Sequence, residues 1–194
     1  RRVVKSVILF VLSILVINGQ GFVLNNVLTP KQKQRIETLI NPNIDPLGSG
    51  WNITQSKIAI GSGGLFGKGY LNGTQTGLNF VPIQSTDFIF SVIGEEFGYV
   101  GSMMFIILYL IFLYRILILS EVQKDRFARV FGYSVFSVFL FHFTINVSMT
   151  LGLFPVIGIP LSFISYGGSS LLSFSLLLFV FLKLNGVKSA ILGR

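Results

Sequence analysis

The sequence predicts an all-α polytopic membrane protein with about four transmembrane helices, and three observations carry that reading. Hydrophobic residues make up 52% of the 194 positions and charged residues only 11%, where a soluble domain carries about a quarter charged; mean hydropathy is +0.76. The apolar residues, 20 phenylalanines among them, fall in runs long enough to cross a hydrocarbon core of about 30 Å, which takes roughly 20 helical residues. Lys and Arg gather at the ends of those runs, so the net charge of +8 reflects membrane topology and not nucleic-acid binding. There is no cysteine, which excludes disulfides and thiolate metal sites.

The chain is read as one membrane domain over 1–194, with spans at about 3–24, 88–119, 131–154 and 170–185. The first run follows Arg1 and Arg2 directly, but no small-x-small cleavage site closes it, so a span is expected and not a signal peptide. The second run is long enough to tilt, kink or emerge from the bilayer. Arg1, Arg2 and Lys5 precede the first span, Arg115, Lys124, Arg126 and Arg129 surround the second turn, and Lys183, Lys188 and Arg194 follow the last. Alternating spans place all ten on one side, which the positive-inside rule makes cytoplasmic together with the carboxy terminus. Outer loops 25–86 and 155–169 then face outward. The first of these holds Lys31, Lys33, Arg35, Lys57 and Lys68, and it is long enough for the rule to weaken there.

A loop of that length is expected to be functional. It opens with a helix signal: Thr29 as N-cap, Pro30 at the first position and Gln32 completing a capping box. Ile36, Leu39 and Ile40 would share a face opposite Lys31, Lys33 and Arg35, as on a helix lying at the membrane surface or on an ordinary solvated one. Asn41-Pro42 and Asp45-Pro46 end it. Further on, Gly61-Ser-Gly-Gly-Leu-Phe-Gly-Lys-Gly69 fails the test for a nucleotide-binding P-loop: Ser62 stands where the first Gly belongs, and Gly69 replaces the Ser/Thr that would hold magnesium. It reads as a flexible turn, or as a backbone able to approach an anionic headgroup with Lys68 at hand.

Asp87 sits where the outer loop meets the second apolar run. Two compatible roles are open, an N-cap and a general base at the membrane surface. Glu95 and Glu96 lie two turns further in, where a carboxylate is costly unless paired or facing a polar cavity. At 100° per residue they fall about 80° and 180° from Asp87, so no two-carboxylate pair shares one helical face. Gly94 and Gly98 are spaced for close helix packing. His142, Asn146 and Thr150 form a polar stripe in the third span, expected to be a seam between helices, since no second metal ligand accompanies the histidine. The loop 155–169 is apolar yet rich in Gly and Pro. Such backbone at membrane depth must be buried or line a cavity, and a re-entrant loop flooring a pocket is expected.

Taken in order, Asp45-Pro-Leu-Gly-Ser-Gly-Trp51, the segment Gln55–Gly69, Gly73-Thr-Gln-Thr76, Pro82, Thr86–Gly98 and Gly158–Ser169 resemble the SEDS family (shape, elongation, division and sporulation). The Ser56-Lys-Ile-Ala-Ile and Gly73-Thr-Gln segments are more similar to its elongation type than to its division type. The resemblance implies a partial SEDS fold, the last four of about ten spans, in the plasma membrane of a bacterium. It implies polymerisation of glycan strands from lipid II in cell-wall elongation, with the growing strand and a class B penicillin-binding protein as partners. Asp87 matches the family's essential outer-loop aspartate, and substrate contacts would come from Gln55, Ser56, Lys57, Lys68, Gln75, Thr86, Glu95, Ser165 and Tyr166. Lys57 and Lys68 are the local cations for a departing diphosphate. A divalent cation could assist them, although the sequence shows no dedicated metal cage. A flippase for the lipid-linked precursor and a non-catalytic scaffold for the penicillin-binding protein are the competing expectations.

Overall fold

The computed structural model describes residues 29–46, 48–78 and 80–192; the expected first span at 3–24 lies outside them. Six α-helices follow in order, and there is no strand among the described residues: α1 Pro30–Ile40, α2 Ser49–Ser62, α3 Thr74–Gly77, α4 Ile89–Glu121, α5 Arg126–Thr150 and α6 Gly168–Leu192. Three of them, α4, α5 and α6, are long and apolar enough to cross a membrane.

The helix α4 and its partner α5 form an antiparallel hairpin. Asp125 caps α5 by accepting from Ala128 N–H at 3.1 Å, and the Arg129 guanidinium donates to the Gln123 carbonyl at 2.7 Å, closing the connection. Gly132 lets the helices close up, since a Cβ there would stand 2.2 Å from Ser120 Oγ. Above this the core is aromatic: Tyr109 stacks on Phe143 at 4.3 Å, and Phe139 meets Phe112, Phe163 and Phe174 within 5.7 Å. Phe139 and Phe181 are buried almost completely, and truncation of such residues costs about 3–5 kcal/mol. Leu161 and Phe163 of the 155–167 segment enter the same core. The segment therefore folds into the helix layer, as a re-entrant stretch must.

The helix α4 is interrupted. Gly98 adopts φ +67°, ψ −162°, a region only glycine occupies readily. The break frees backbone groups on both sides, and the glycine-rich loop after α2 satisfies them. Lys68 and Gly69 N–H donate to the Glu95 and Glu96 carbonyls, both at 3.0 Å, while Tyr99 and Val100 N–H donate to the Gly64 and Leu65 carbonyls at 2.9 and 3.0 Å. The loop can come this close only without side chains: a Cβ on Gly63 or Gly67 would stand 2.0 or 2.1 Å from the Gly94 or Glu96 carbonyl oxygen. Two expectations are corrected here. The segment 61–69 is an ordered backbone brace, not a flexible turn. Of the expected packing pair, Gly94 does lie against Ile60 of α2, whereas Gly98 makes the break.

Helix α1 starts as expected, with Thr29 N–H and hydroxyl both donating to Gln32 Oε1 at 2.9 Å. Of its expected apolar face, Ile36 and Leu39 are half-buried and Ile40 is 81% exposed, while Thr38 on another side is fully buried. Gln32, Arg35 and Ile36 line a groove with Pro155 and Ile157.

Candidate active site

Asp87 lies in the turn that feeds α4. Ile83, a β-branched residue at φ +55°, accepts amides from Thr86, Asp87 and Phe88 through its carbonyl at 3.2–3.5 Å. Such a conformation is an outlier that persists only where its surroundings over-determine it. Those surroundings are visible. The next carbonyls in line, those of Ser85, Thr86 and Asp87, each receive a long-range donor: Tyr166 N–H at 2.8 Å, Ser165 Oγ at 2.5 Å and Asn146 Nδ2 at 2.9 Å. Asn146 Nδ2 also donates to the Ile159 carbonyl at 2.8 Å, and Ser165 Oγ accepts Leu161 N–H at 2.7 Å. His142 Nδ1 lies 3.1 Å from the Pro160 carbonyl oxygen. Two residues of the α5 stripe, His142 and Asn146, thus hold a loop and not the expected helix, fastening the 155–167 segment to the turn bearing Asp87, while the Thr150 hydroxyl donates to the Val147 carbonyl of its own helix.

The Asp87 carboxylate itself is half-buried and has no hydrogen bond or ion pair among the described residues. It does not cap α4: Phe88 is the cap residue, and no side chain bonds the first turn. One carboxylate oxygen faces the backbone of Gly158, where a Cβ would come within 3.2 Å. The absence of a side chain there leaves the acid uncovered.

A second polar cluster surrounds Glu95, which is fully buried. Its two oxygens receive Lys68 Nζ at 2.7 Å, the backbone N–H groups of Thr74, Gln75 and Thr76 at 2.8–2.9 Å, and the hydroxyls of Ser62, Thr74 and Thr76 at 2.8–3.3 Å. Helix α3 exists to deliver those amides. Lys68 Nζ is committed here and to Thr74 Oγ1 at 2.6 Å.

The expected site residues therefore separate into three groups. Asp87, Thr86, Ser165 and Tyr166 come together at the turn; the Ser165 hydroxyl is committed to backbone, and the Tyr166 ring is 80% exposed. Gln75, Lys68 and Glu95 form the internal cluster. Gln55, Ser56 and Lys57 lie on α2 against the end of α5, where the buried Ser56 hydroxyl donates to the Thr150 carbonyl at 2.8 Å. Lys57 runs over Gly152, close enough that a Cβ there would stand 2.6 Å from its Nζ. Its ammonium has no carboxylate partner among the described residues. Gly152 lies just past the end of α5, beyond Leu151, at φ +67°. Among the described residues no group of three or more His, Asp or Glu side chains gathers to hold a metal ion.

Residues 3–189 match the model of the FtsW/RodA/SpoVE family, described as cell cycle proteins. The chain belongs to that family. It is 50% identical over 145 residues to the peptidoglycan glycosyltransferase RodA of Treponema pallidum, covering 75% of this chain and 34% of that protein. It is 45% identical over 141 residues to the peptidoglycan glycosyltransferase MrdB of Escherichia coli K12, covering 73% and 38%. A solved chain from a study of how a peptidoglycan synthase complex coordinates polymerization and crosslinking aligns with a TM-score of 0.69 and 30% identity, covering 93% of this chain and 48% of that one. The chain thus spans about a third of the length of these curated relatives. The motif resemblance to a multi-pass SEDS membrane protein, nearer the RodA type, holds across it.

Within this FtsW/RodA/SpoVE chain, sequence reasoning missed the Lys68–Glu95 pair and the grip of Asn146 on the Asp87 carbonyl. These join positions 27 and 59 apart, and no local pattern encodes such distances. The carboxylate-at-depth argument did ask for a partner to Glu95. Removing that partner should be severe. Lys68→Met is expected to destabilise the protein by about 3–5 kcal/mol, since it leaves a buried charge with neutral donors only. Thermal unfolding in detergent measures this, and adding Glu95→Gln should recover part of the loss; a Lys68→Met protein melting with its parent would refute the pairing.

Proposed function

We propose that the full-length protein to which this chain belongs polymerises peptidoglycan glycan strands from lipid II, with Asp87 as general base. The observation supporting this most is the contrast at the turn: three successive carbonyls are fastened while the carboxylate between them and Gly158 is uncommitted. A base needs this, a fixed position with its lone pairs available. Asp87 takes the proton of the acceptor sugar hydroxyl as its oxygen attacks the anomeric carbon of the donor. The new glycosidic C–O bond forms as the bond from that carbon to the undecaprenyl diphosphate oxygen breaks, and the diphosphate leaves with the electron pair. Developing negative charge on the leaving group calls for a preorganised cation. Lys57 supplies it in this reading, because Lys68 neutralises Glu95.

Arg115, Lys124, Arg126 and Arg129 stand at the α4–α5 connection and Lys183 on α6, whereas Asp87 stands at the other end of α4. With the basic end cytoplasmic, the site faces outward from the bacterial plasma membrane. A class B penicillin-binding protein is the partner this reading implies, in keeping with the synthase complex that the solved relative comes from.

The test is glycan synthesis from labelled lipid II in liposomes by the full-length parent with its partner. Polymer resolved on a gel supports the reading. Movement of lipid II across the bilayer with no polymer would replace it with transport.

A further inference from the structure

Gln84 and Ser85, just before the turn, line a cleft of about 270 Å³ whose walls also include Thr76 and Gly77 of α3 and Ile89 and Glu96 of α4. Glu96 is only 8% exposed. Its backbone is pinned through the bond from Gly69, yet its carboxylate has no hydrogen bond or ion pair among the described residues. Its neighbour Glu95 has seven donors. The fold satisfies one of two adjacent carboxylates fully and leaves the oxygens of the other open to a cleft. Whatever pairs with them there, water or a ligand, must be a donor.

The remaining lining indicates which kind. A hydroxyl and an amide side chain stand beside the carboxylate, and the aliphatic side chain of Ile89 forms an apolar face. Sites for neutral hydroxylated rings combine a few directed polar groups with apolar walls in this way. One carboxylate falls short of a divalent-ion site, which takes six or more oxygens, several of them charged. Position points the same way: Ser85 lies two residues before Asp87, at most about 7 Å of extended chain, so a ring held here neighbours one reacting at Asp87.

We propose that this cleft is a saccharide subsite, in which Glu96 accepts hydroxyl or acetamido N–H hydrogens from a glycan ring adjacent to the reacting one. The identity of the sugar rests on the polymerase reading, whereas the existence of the subsite does not.

The probe is the uncharged tetrasaccharide of N-acetylglucosamine, titrated by calorimetry against the purified full-length parent and its variants. Parent and Asp87→Asn are expected to bind alike, and Glu96→Gln about tenfold or more weakly, as for loss of a hydrogen bond to a charged group. Gly77→Leu is the second variant. A Cβ at Gly77 meets no atom within 4 Å, so a leucine there starts into open space on the cleft wall and should abolish binding at an unchanged melting temperature. Binding by both cleft variants equal to the parent's would overturn the subsite. So would a parent that binds Mg²⁺ through Glu96 and no saccharide. A parent that binds the tetrasaccharide but makes no polymer would leave the subsite standing and remove the polymerase reading.

Discussion

Asp87→Asn in the full-length protein is expected to lower strand synthesis from lipid II by about 10²–10⁴-fold, the range for loss of a positioned general base. The substitution keeps shape and volume and removes only the ability to take a proton. Because the Asp87 carboxylate bonds nothing among the described residues, its loss should leave the melting temperature within a degree or two of the parent's. The backbone that Asn146, Ser165 and Tyr166 hold is untouched. Activity and stability are thereby separated. A variant that polymerises at the parental rate would remove Asp87 as base, and one inactive because it no longer folds would show that the carboxylate has a structural partner.

Gly98→Ala is expected to lower stability about as much as Lys68→Met. Alanine is strained at φ +67°, ψ −162°, and its Cβ would stand 2.3 Å from Gly67 N and 2.8 Å from the Leu65 carbonyl. These are backbone atoms that cannot swing aside as the end of a flexible side chain could. Strain of about 1–3 kcal/mol joins a further 1–3 kcal/mol from overpacking. Gly61→Ala supplies the control. That glycine is helical, a Cβ there meets nothing within 4 Å, and the change should be neutral or stabilising by about 0.5–1 kcal/mol. Thermal unfolding in detergent compares the two, and equal melting points would refute the account of the break.

The elements legible in the sequence are those that near neighbours decide. The apolar runs that became α4, α5 and α6 follow from length and hydropathy, and the Thr29–Gln32 box from two residues three apart. The break at Gly98 was invisible, because glycine within an apolar run is compatible with a continuous helix until a second backbone arrives to satisfy the freed groups, and that backbone comes from about thirty residues upstream. The burial of Thr38 in α1 was invisible for a related reason: periodicity names an apolar face, but the surface beneath a helix decides which other residues are covered. For Asp87 the local signal left cap and base both open, and the structure sets the cap aside because no side chain bonds the first turn of α4. The contacts that hold its backbone come from Asn146, Ser165 and Tyr166, at positions 59–81 residues away.

The interruption of α4 also bears on how the end of the molecule that carries Asp87 can move. A gap in a helix usually behaves as a joint, since the residues flanking it have lost their ladder. Here the ladder is re-routed through the glycine loop by four bonds of ordinary length, two on each side. The gap is a splice, and it resists bending as an unbroken helix does. The nine residues before it, the glycine loop and the Glu95 cluster form a single stiff block with Asp87 at its edge. A partner pressing on α2 or the glycine loop would shift that block as a whole and carry the carboxylate with it.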